Sequence, residues 1–412
     1  MKKLERQAAR TTPLQRAGGT SYWSILLGSL VAVLAFAPFW VANFLPPLAG
    51  LVIACALVVA SELVRAESRA TSTWILLIVG TWGALVGLIW LALQPTNEVA
   101  VSTLQNYLIL APLALIAGAL IAGSKSSKSY IVGWQLISLA LVPLAIFEYL
   151  TTTSLFGRNY LYFLSEYGTG RALLMADHPI ILGVLWVVGI ALLSFTRMKI
   201  RVPLALAFFA GILSTGSAGP IAVGAMALLV VMFPKLLAYV GRRGKAVGAL
   251  LTLGIAVAAY LSLTVWEPKI AGATIDAYST GYRPALYSLV PDILAHVPFG
   301  YGIEGIPRGV WYLDSSRAGA RDIALTVDSE LVYIVLIFGW AGLAAFLGLL
   351  VIALRCLKTS PELSLTLFCL VACGLTVALT AWSTMTAVLV LVVGATLRQL
   401  RRPNDTQSAN SP

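Results

Sequence analysis

The sequence predicts an all-α fold: a polytopic membrane bundle of about twelve transmembrane helices with one large extracytoplasmic loop. Three observations predict it. Of the 412 residues, 59% are apolar and 11% charged, against roughly 45–50% and about 25% in soluble domains. The apolar residues gather in stretches of about 17–25, enough at 1.5 Å per residue to cross about 30 Å of hydrocarbon. Every second connection between these stretches carries Lys or Arg, the bias that sets orientation during insertion.

Residues 1–22 form a basic cytoplasmic arm, 23–402 a single transmembrane domain, and 403–412 a polar tail expected to be disordered. The predicted spans are 24–44, 48–64, 74–93, 104–122, 130–149, 179–196, 202–214, 219–238, 246–265, 329–353, 362–380 and 384–397. Arg65 and Arg69 follow the second span, Lys125 and Lys128 the fourth, and Arg197, Lys199 and Arg201 the sixth. Arg242, Arg243 and Lys245 follow the eighth, Arg355 and Lys358 the tenth, and Arg398, Arg401 and Arg402 the last. Both termini are therefore expected in the cytoplasm. The first apolar stretch is too long for a cleaved signal peptide and more spans follow, so it reads as an uncleaved helix. The short 202–214 span ends in a small-residue turn, Ser214 to Gly219, with Pro220 suited to the first turn of the next helix.

The net charge of +11 is thus a topology signal and does not point to nucleic acid. Cys55, Cys356, Cys369 and Cys373 fall in predicted helices or at their cytoplasmic ends. No disulfide framework is expected.

Two outer segments are long, 150–178 and 266–328. Loops beyond about 12–15 residues in a compact protein are usually functional. The first carries Phe156, Tyr160, Tyr162, Phe163 and Tyr167, rings suited to the membrane interface. The second holds an expected amphipathic helix, Arg283 to Val297, then the turn Pro298-Phe299-Gly300-Tyr301-Gly302. The span interiors have essentially no ionisable residue; Glu62 and Glu148 sit at span ends. Ion-coupled transporters usually place such residues near the midplane. There is no Walker A sequence, no Cys/His metal spacing and no outer Asp-x-Asp pair, so neither cofactor nor metal is expected.

Four features, in order, resemble the O-antigen ligase and polysaccharide polymerase superfamily. Arg171 precedes Asp177-His178-Pro179-Ile180-Ile181-Leu182-Gly183, similar to an Arg…His-Pro-x-x-Leu-Gly run leading into a central helix. Ser214-Thr215-Gly216-Ser217-Ala218-Gly219 looks like a Thr-x-Ser-Arg-Gly turn, with Ala218 where many members have arginine. Gly281-Tyr282-Arg283 with Pro298 to Gly302 looks like the large-loop motif. Thr326-Val327-Asp328-Ser329-Glu330-Leu331, with Phe338-Gly339-Trp340-Ala341-Gly342-Leu343, resembles the start of the helix after that loop. Asp328 stands where the ligase branch usually has histidine, which favours the exopolysaccharide polymerase branch; Ser329 replaces that branch's Asn.

The resemblance implies metal-independent, inverting glycosyl transfer on the outer face of a bacterial inner membrane. Its donor would be a glycan on undecaprenyl diphosphate, and its partners membrane lipids, a chain-length regulator and a flippase. Arg283 and Arg171 would stabilise the departing diphosphate, because a guanidinium binds it bidentately. Asp328 would accept a proton from the attacking hydroxyl. His178, Glu330, Arg308, Arg317 and Arg321 would contact substrate. Plainer roles stand beside these: a pair with Asp276 for Arg283, a pair with Glu166 or Asp177 for Arg171, and helix starts for His178 and Asp328. A ligase acting on a lipid or protein acceptor is the alternative within the class, and a flippase of lipid-linked sugars the alternative outside it.

Cysteine introduced at Ser316 should react with an impermeant thiol reagent added outside intact cells, and one introduced at Ser126 should not. Reversed labelling would invert the whole topology.

Overall fold

A computed structural model describes residues 21–38, 46–65, 82, 101, 103–156, 171–176, 178–193, 198–232, 285–315, 319–324 and 327–401. The chain is mostly helical. Among the described residues the α-helices are α1 (Tyr22–Phe36), α2 (Pro47–Arg65), α3 (Ala111–Gly123), α4 (Ser127–Thr151), α5 (Pro179–Leu192), α6 (Met198–Ser214) and α7 (Ala218–Met232). They continue with α8 (Val290–His296), α9 (Glu330–Phe338), α10 (Trp340–Cys356), α11 (Pro361–Gly374) and α12 (Ser383–Leu400). A π-helical turn, Gln105–Leu110, leads directly into α3. Among the described residues four helices are long and apolar enough to cross a membrane: Pro47–Arg65, Gln105–Gly123, Ser127–Thr151 and Ser383–Leu400. The expected spans 74–93 (Trp82 apart) and 246–265, the aromatics of 160–167 and the tail 403–412 lie outside the described residues.

The centre of the bundle is α5. Its residues Ile181 to Ala191 are all buried, as a helix apolar on every side must be. Trp186 is fully buried against Phe36, ring centroids 5.8 Å apart. Its indole N–H donates to the Ser138 carbonyl at 3.0 Å. The helices α4, α6, α7 and α11 pack around α5.

Among the described residues two helix pairs touch backbone to backbone through a glycine on each side. A Cβ added to Gly28 of α1 would lie 2.2 Å from the Tyr130 carbonyl oxygen of α4, and one on Gly133 of α4 would lie 2.2 Å from that of Ile25. The same reciprocity joins α3 to α12: a Cβ on Gly118 would lie 2.0 Å from Leu391 O, and one on Gly394 would lie 2.1 Å from Leu115 O. Small residues allow such approach where lipid supplies no hydrophobic drive between helices. The four cysteines are buried and free.

Three expectations need correction. The 329–353 stretch is two helices, because the chain breaks at Gly339 (φ 58, ψ −133) between α9 and α10. Only glycine tolerates that conformation, and a Cβ there would lie 2.0 Å from Pro298 O. The 362–380 stretch is helical only to Gly374, after which an irregular run leads to a 3-10 turn, Leu379–Ala381. The outer loop also folds further than expected. Strands β1 (Tyr312–Ser315) and β2 (Gly319–Asp322) form an antiparallel hairpin, pairing Tyr312 with Asp322 and Leu313 with Arg321. The expected helix from Arg283 to Val297 is a helical turn at 285–288 followed by α8.

Glycine's role at the close contacts gives opposite signs for one chemical change. Gly118→Ala should lower stability by about 1–3 kcal/mol through overpacking. Gly348→Ala in α10, where no atom lies within 4 Å of the added Cβ, should leave stability equal or raise it by up to about 1 kcal/mol. Thermal unfolding of both variants in detergent checks the contrast; equal shifts would refute it.

Candidate functional site

One set of buried polar groups gathers around the irregular segment 375–382. Thr376 begins it by turning its hydroxyl back to the Cys373 carbonyl at 3.0 Å, a local bond that competes with helix continuation. Further on, Thr380 donates its backbone N–H to one carboxylate oxygen of Glu330 (2.8 Å) and its hydroxyl to the other (2.6 Å). The same hydroxyl accepts from Tyr107 at 2.6 Å, so one donor and one acceptor site of Thr380 are both used. Glu330 is the first residue of α9 and is 3% exposed.

The π-helical turn supplies the facing wall. It presents Tyr107 to Thr380 and Asn106 to Ser383, whose hydroxyl donates to Asn106 Oδ1 at 2.8 Å. Trp82 donates its indole N–H to the Leu108 carbonyl at 2.6 Å. Single π-turns inside helices occur frequently at functional sites. On the other side Tyr287 donates to the Leu375 carbonyl. Its single proton is then committed, so Ser329 is the donor in the 3.0 Å contact between the two hydroxyls.

The Arg171 segment reaches the same place through the 214–219 turn. Arg171 donates from Nε to Thr215 O (2.9 Å) and from Nη2 to Ser217 Oγ (2.7 Å), while Ala172 N donates to Ser214 O (2.9 Å). Gly216 has φ +59, and a Cβ there would meet Arg171 Cγ at 3.3 Å. Gly219 lies on Thr376, where a Cβ would be 2.3 Å from its hydroxyl oxygen. Behind Arg171, the fully buried carboxylate of Glu148 accepts from the backbone N–H groups of Leu155 (3.0 Å), Leu173 (2.9 Å) and Leu174 (2.7 Å). Leu174 is held at φ 49, unusual for a non-glycine residue.

The two glycine turns of the large-loop region interlock. Tyr301 N donates to Leu336 O (2.7 Å) and Trp340 N to Pro298 O (3.0 Å). Leu286, Ile293 and Leu294 pack with Leu313, Ile323, Val332 and Val335 in a second apolar cluster that ties α8 and the hairpin to α9.

The expected site residues divide as follows. Arg171 is joined to the 214–219 turn, and Glu330 to Thr380, inside the bundle. His178 caps α5, its Nδ1 accepting from Ile180 N at 3.2 Å, with its ring 6.4 Å from that of Trp382. Asp328 is half-buried one residue before the α9 N-cap, which is Ser329. Arg308 is exposed on the loop. Arg321 lies in β2, and its side chain, like Arg283 and Arg317, is outside the described residues. Sequence reasoning missed Thr376, Thr380, Tyr107 and the clamping role of Glu148. Among the described residues no group of three His, Cys, Asp or Glu side chains could hold a metal ion.

The chain matches no model of a known protein family, and no curated protein matches it. Fold and composition define a mostly helical protein with several helices able to cross a membrane.

Glu148→Gln would turn an amide N–H toward backbone donors, and a buried unsatisfied donor costs about 1–3 kcal/mol. Hydrogen exchange at the Leu155, Leu173 and Leu174 amides should therefore accelerate, with α5 unchanged. Unaltered protection at these amides would show that Glu148 does not hold the segment.

Proposed function

We propose that this protein is an inner-membrane glycosyltransferase that polymerises undecaprenyl-diphosphate-linked oligosaccharide repeat units on the outer face. The acceptor sugar hydroxyl attacks the anomeric carbon of the donor glycan. A new C–O bond forms with inversion, the bond to the lipid diphosphate breaks, and the hydroxyl proton passes to Asp328. Arg283 and Arg171 stabilise the charge that develops on the departing diphosphate.

The observation that supports this reading is contact between segments far apart in the sequence. The Arg171 segment lies on the 214–219 turn, and that turn lies on Thr376. The 298–302 turn lies on 336–340, and Glu330 and Ser329 at the head of α9 meet Thr380 and, through Tyr287, Leu375. The described residues of the Arg171–Gly183, 214–219 and 327–331 segments therefore lie around one buried polar cluster, and the 298–302 turn packs at the other end of α9. Thr380 takes both oxygens of Glu330, which makes Glu330 an anchor for the cluster and leaves proton acceptance to the more exposed Asp328.

Arg283→Lys keeps the charge and loses the planar fork; Asp328→Asn keeps size and hydrogen bonding and loses proton acceptance. Loss of a charge-stabilising donor typically costs about 10²–10³-fold and loss of general-base assistance about 10²–10⁴-fold. Both variants should accumulate normally in the membrane and leave single repeat units on the lipid carrier, with wild-type activity unaffected by EDTA. Chains of normal length from Asp328→Asn at normal rate would remove Asp328 from the chemistry. Transfer of finished glycan to a lipid or protein acceptor would favour a ligase.

A further inference from the structure

Among the described residues the large apolar side chain with the greatest exposure is Phe299, at 89%. The backbone around it is fixed. Gly300 N donates to Val297 O at 3.0 Å, Tyr301 N to Leu336 O at 2.7 Å and Trp340 N to Pro298 O at 3.0 Å. Gly300 has φ +72, and a Cβ there would lie 2.3 Å from the Ile337 carbonyl carbon, so glycine is what lets the turn rest on the end of α9. The two rings of the turn have different fates. Tyr301 accepts a hydrogen bond from the Trp311 indole at 2.7 Å and packs with the loop cluster, while Phe299 is left outside. A rigid turn that presents a benzyl ring to water forfeits burial that would otherwise be favourable.

The same exposed apolar surface continues along α10. Trp340, whose backbone bonds the turn, is 57% exposed, and Leu347 and Val351 are 51% and 47% exposed. With Ala344, also exposed, they recur at i, i+4, i+7 and i+11, which is one face of a helix. Gly342, Phe346 and Ala353 lie on the buried face. The exposed stripe then reaches Arg355 and Lys358. Between Leu331 and Leu354 the chain has no charged residue. At 1.5 Å per residue Trp340 and Arg355 stand about 22 Å apart along the axis. With the reach of an arginine toward the headgroups, this approaches the roughly 30 Å of hydrocarbon in a bilayer. A protein partner would impose no such length, nor an aromatic residue at one end and basic ones at the other; a bilayer imposes both.

We propose that the 298–302 turn is seated in the lipid bilayer, with Phe299 and Trp340 at the boundary between headgroups and acyl chains on the membrane face opposite Arg355. The partner is the lipid surface itself, and the placement does not depend on glycosyl transfer. It also sets the height of α9, because the turn satisfies the Leu336 carbonyl near that helix's end.

Bromine on a lipid chain quenches indole emission only at close range, so the full chain carrying Phe299→Trp, reconstituted in phosphatidylcholine vesicles, tests the placement. The emission that this variant adds over the wild type should be quenched by lipid brominated near the top of its acyl chains. Lipid brominated near the chain ends should quench it less, and aqueous iodide should spare it. Quenching of the added emission by iodide rather than by lipid would overturn the proposal. So would resistance to both, since protein, such as a second copy of this chain, would then cover the ring. Should Phe299→Trp not accumulate, the native Trp340 decides. Trp340→Phe should lower the emission that the shallow brominated lipid quenches, and unchanged quenching would refute the seating.

Discussion

The structure depends on satisfying one buried stretch of non-helical backbone. Between Gly374 and Ser383 the chain leaves α11, turns through a 3-10 step and starts α12, with Val377, Ala378, Leu379 and Thr380 all buried. Irregular backbone at such depth is tolerated only where protein groups or a wet cavity replace water. Glu330 serves this need with both oxygens, Tyr287 donates to the Leu375 carbonyl, and Tyr107 completes the hydroxyl of Thr380. Three remote parts of the sequence are fixed relative to one another by that requirement alone.

The same requirement explains why α9 is short. Glu330 must sit at its first position to reach Thr380, and Gly339 must end it so that the 298–302 turn can close over its C-terminal end. The segment between these two constraints is buried at Val332, Ile334, Val335, Leu336 and Ile337. It joins the loop cluster on one side to the bundle on the other. The loop cluster and the polar cluster thus share α9, and the 298–302 turn also bonds the start of α10.

How much of this was legible in the sequence follows from what hydropathy can report. Long apolar stretches such as Pro47–Arg65 and Ser127–Thr151 announce themselves, because a helix in hydrocarbon must be apolar over its whole length. Breaks inside such stretches do not. Within Pro361 to Leu400 the sequence predicts a connection only at 381–383, and nothing in its run of apolar residues and scattered threonines shows that the helix already ends at Gly374. Gly339 likewise looks like any small residue of a membrane helix until the Pro298 carbonyl is seen to occupy the place of its Cβ. At the candidate site, Arg171 and the 214–219 turn could be named from motif order, but their direct bonding could not, since nothing local specifies a contact across 44 residues. Glu148 could be located at a helix end, while its partners, backbone amides without residue identity, leave no trace in a sequence.

The reciprocal glycine contacts have a consequence for how the bundle can deform. In α1 with α4, and in α3 with α12, main chains abut with no side chain between them that could change rotamer and let them part gradually. Each pair is in effect a double-width beam that slides or tilts as one body. Elsewhere the helices meet through side chains such as Trp186, Phe208 and Phe36, all buried. The glycines thus decide where main chain meets main chain and where side chains fill the space between.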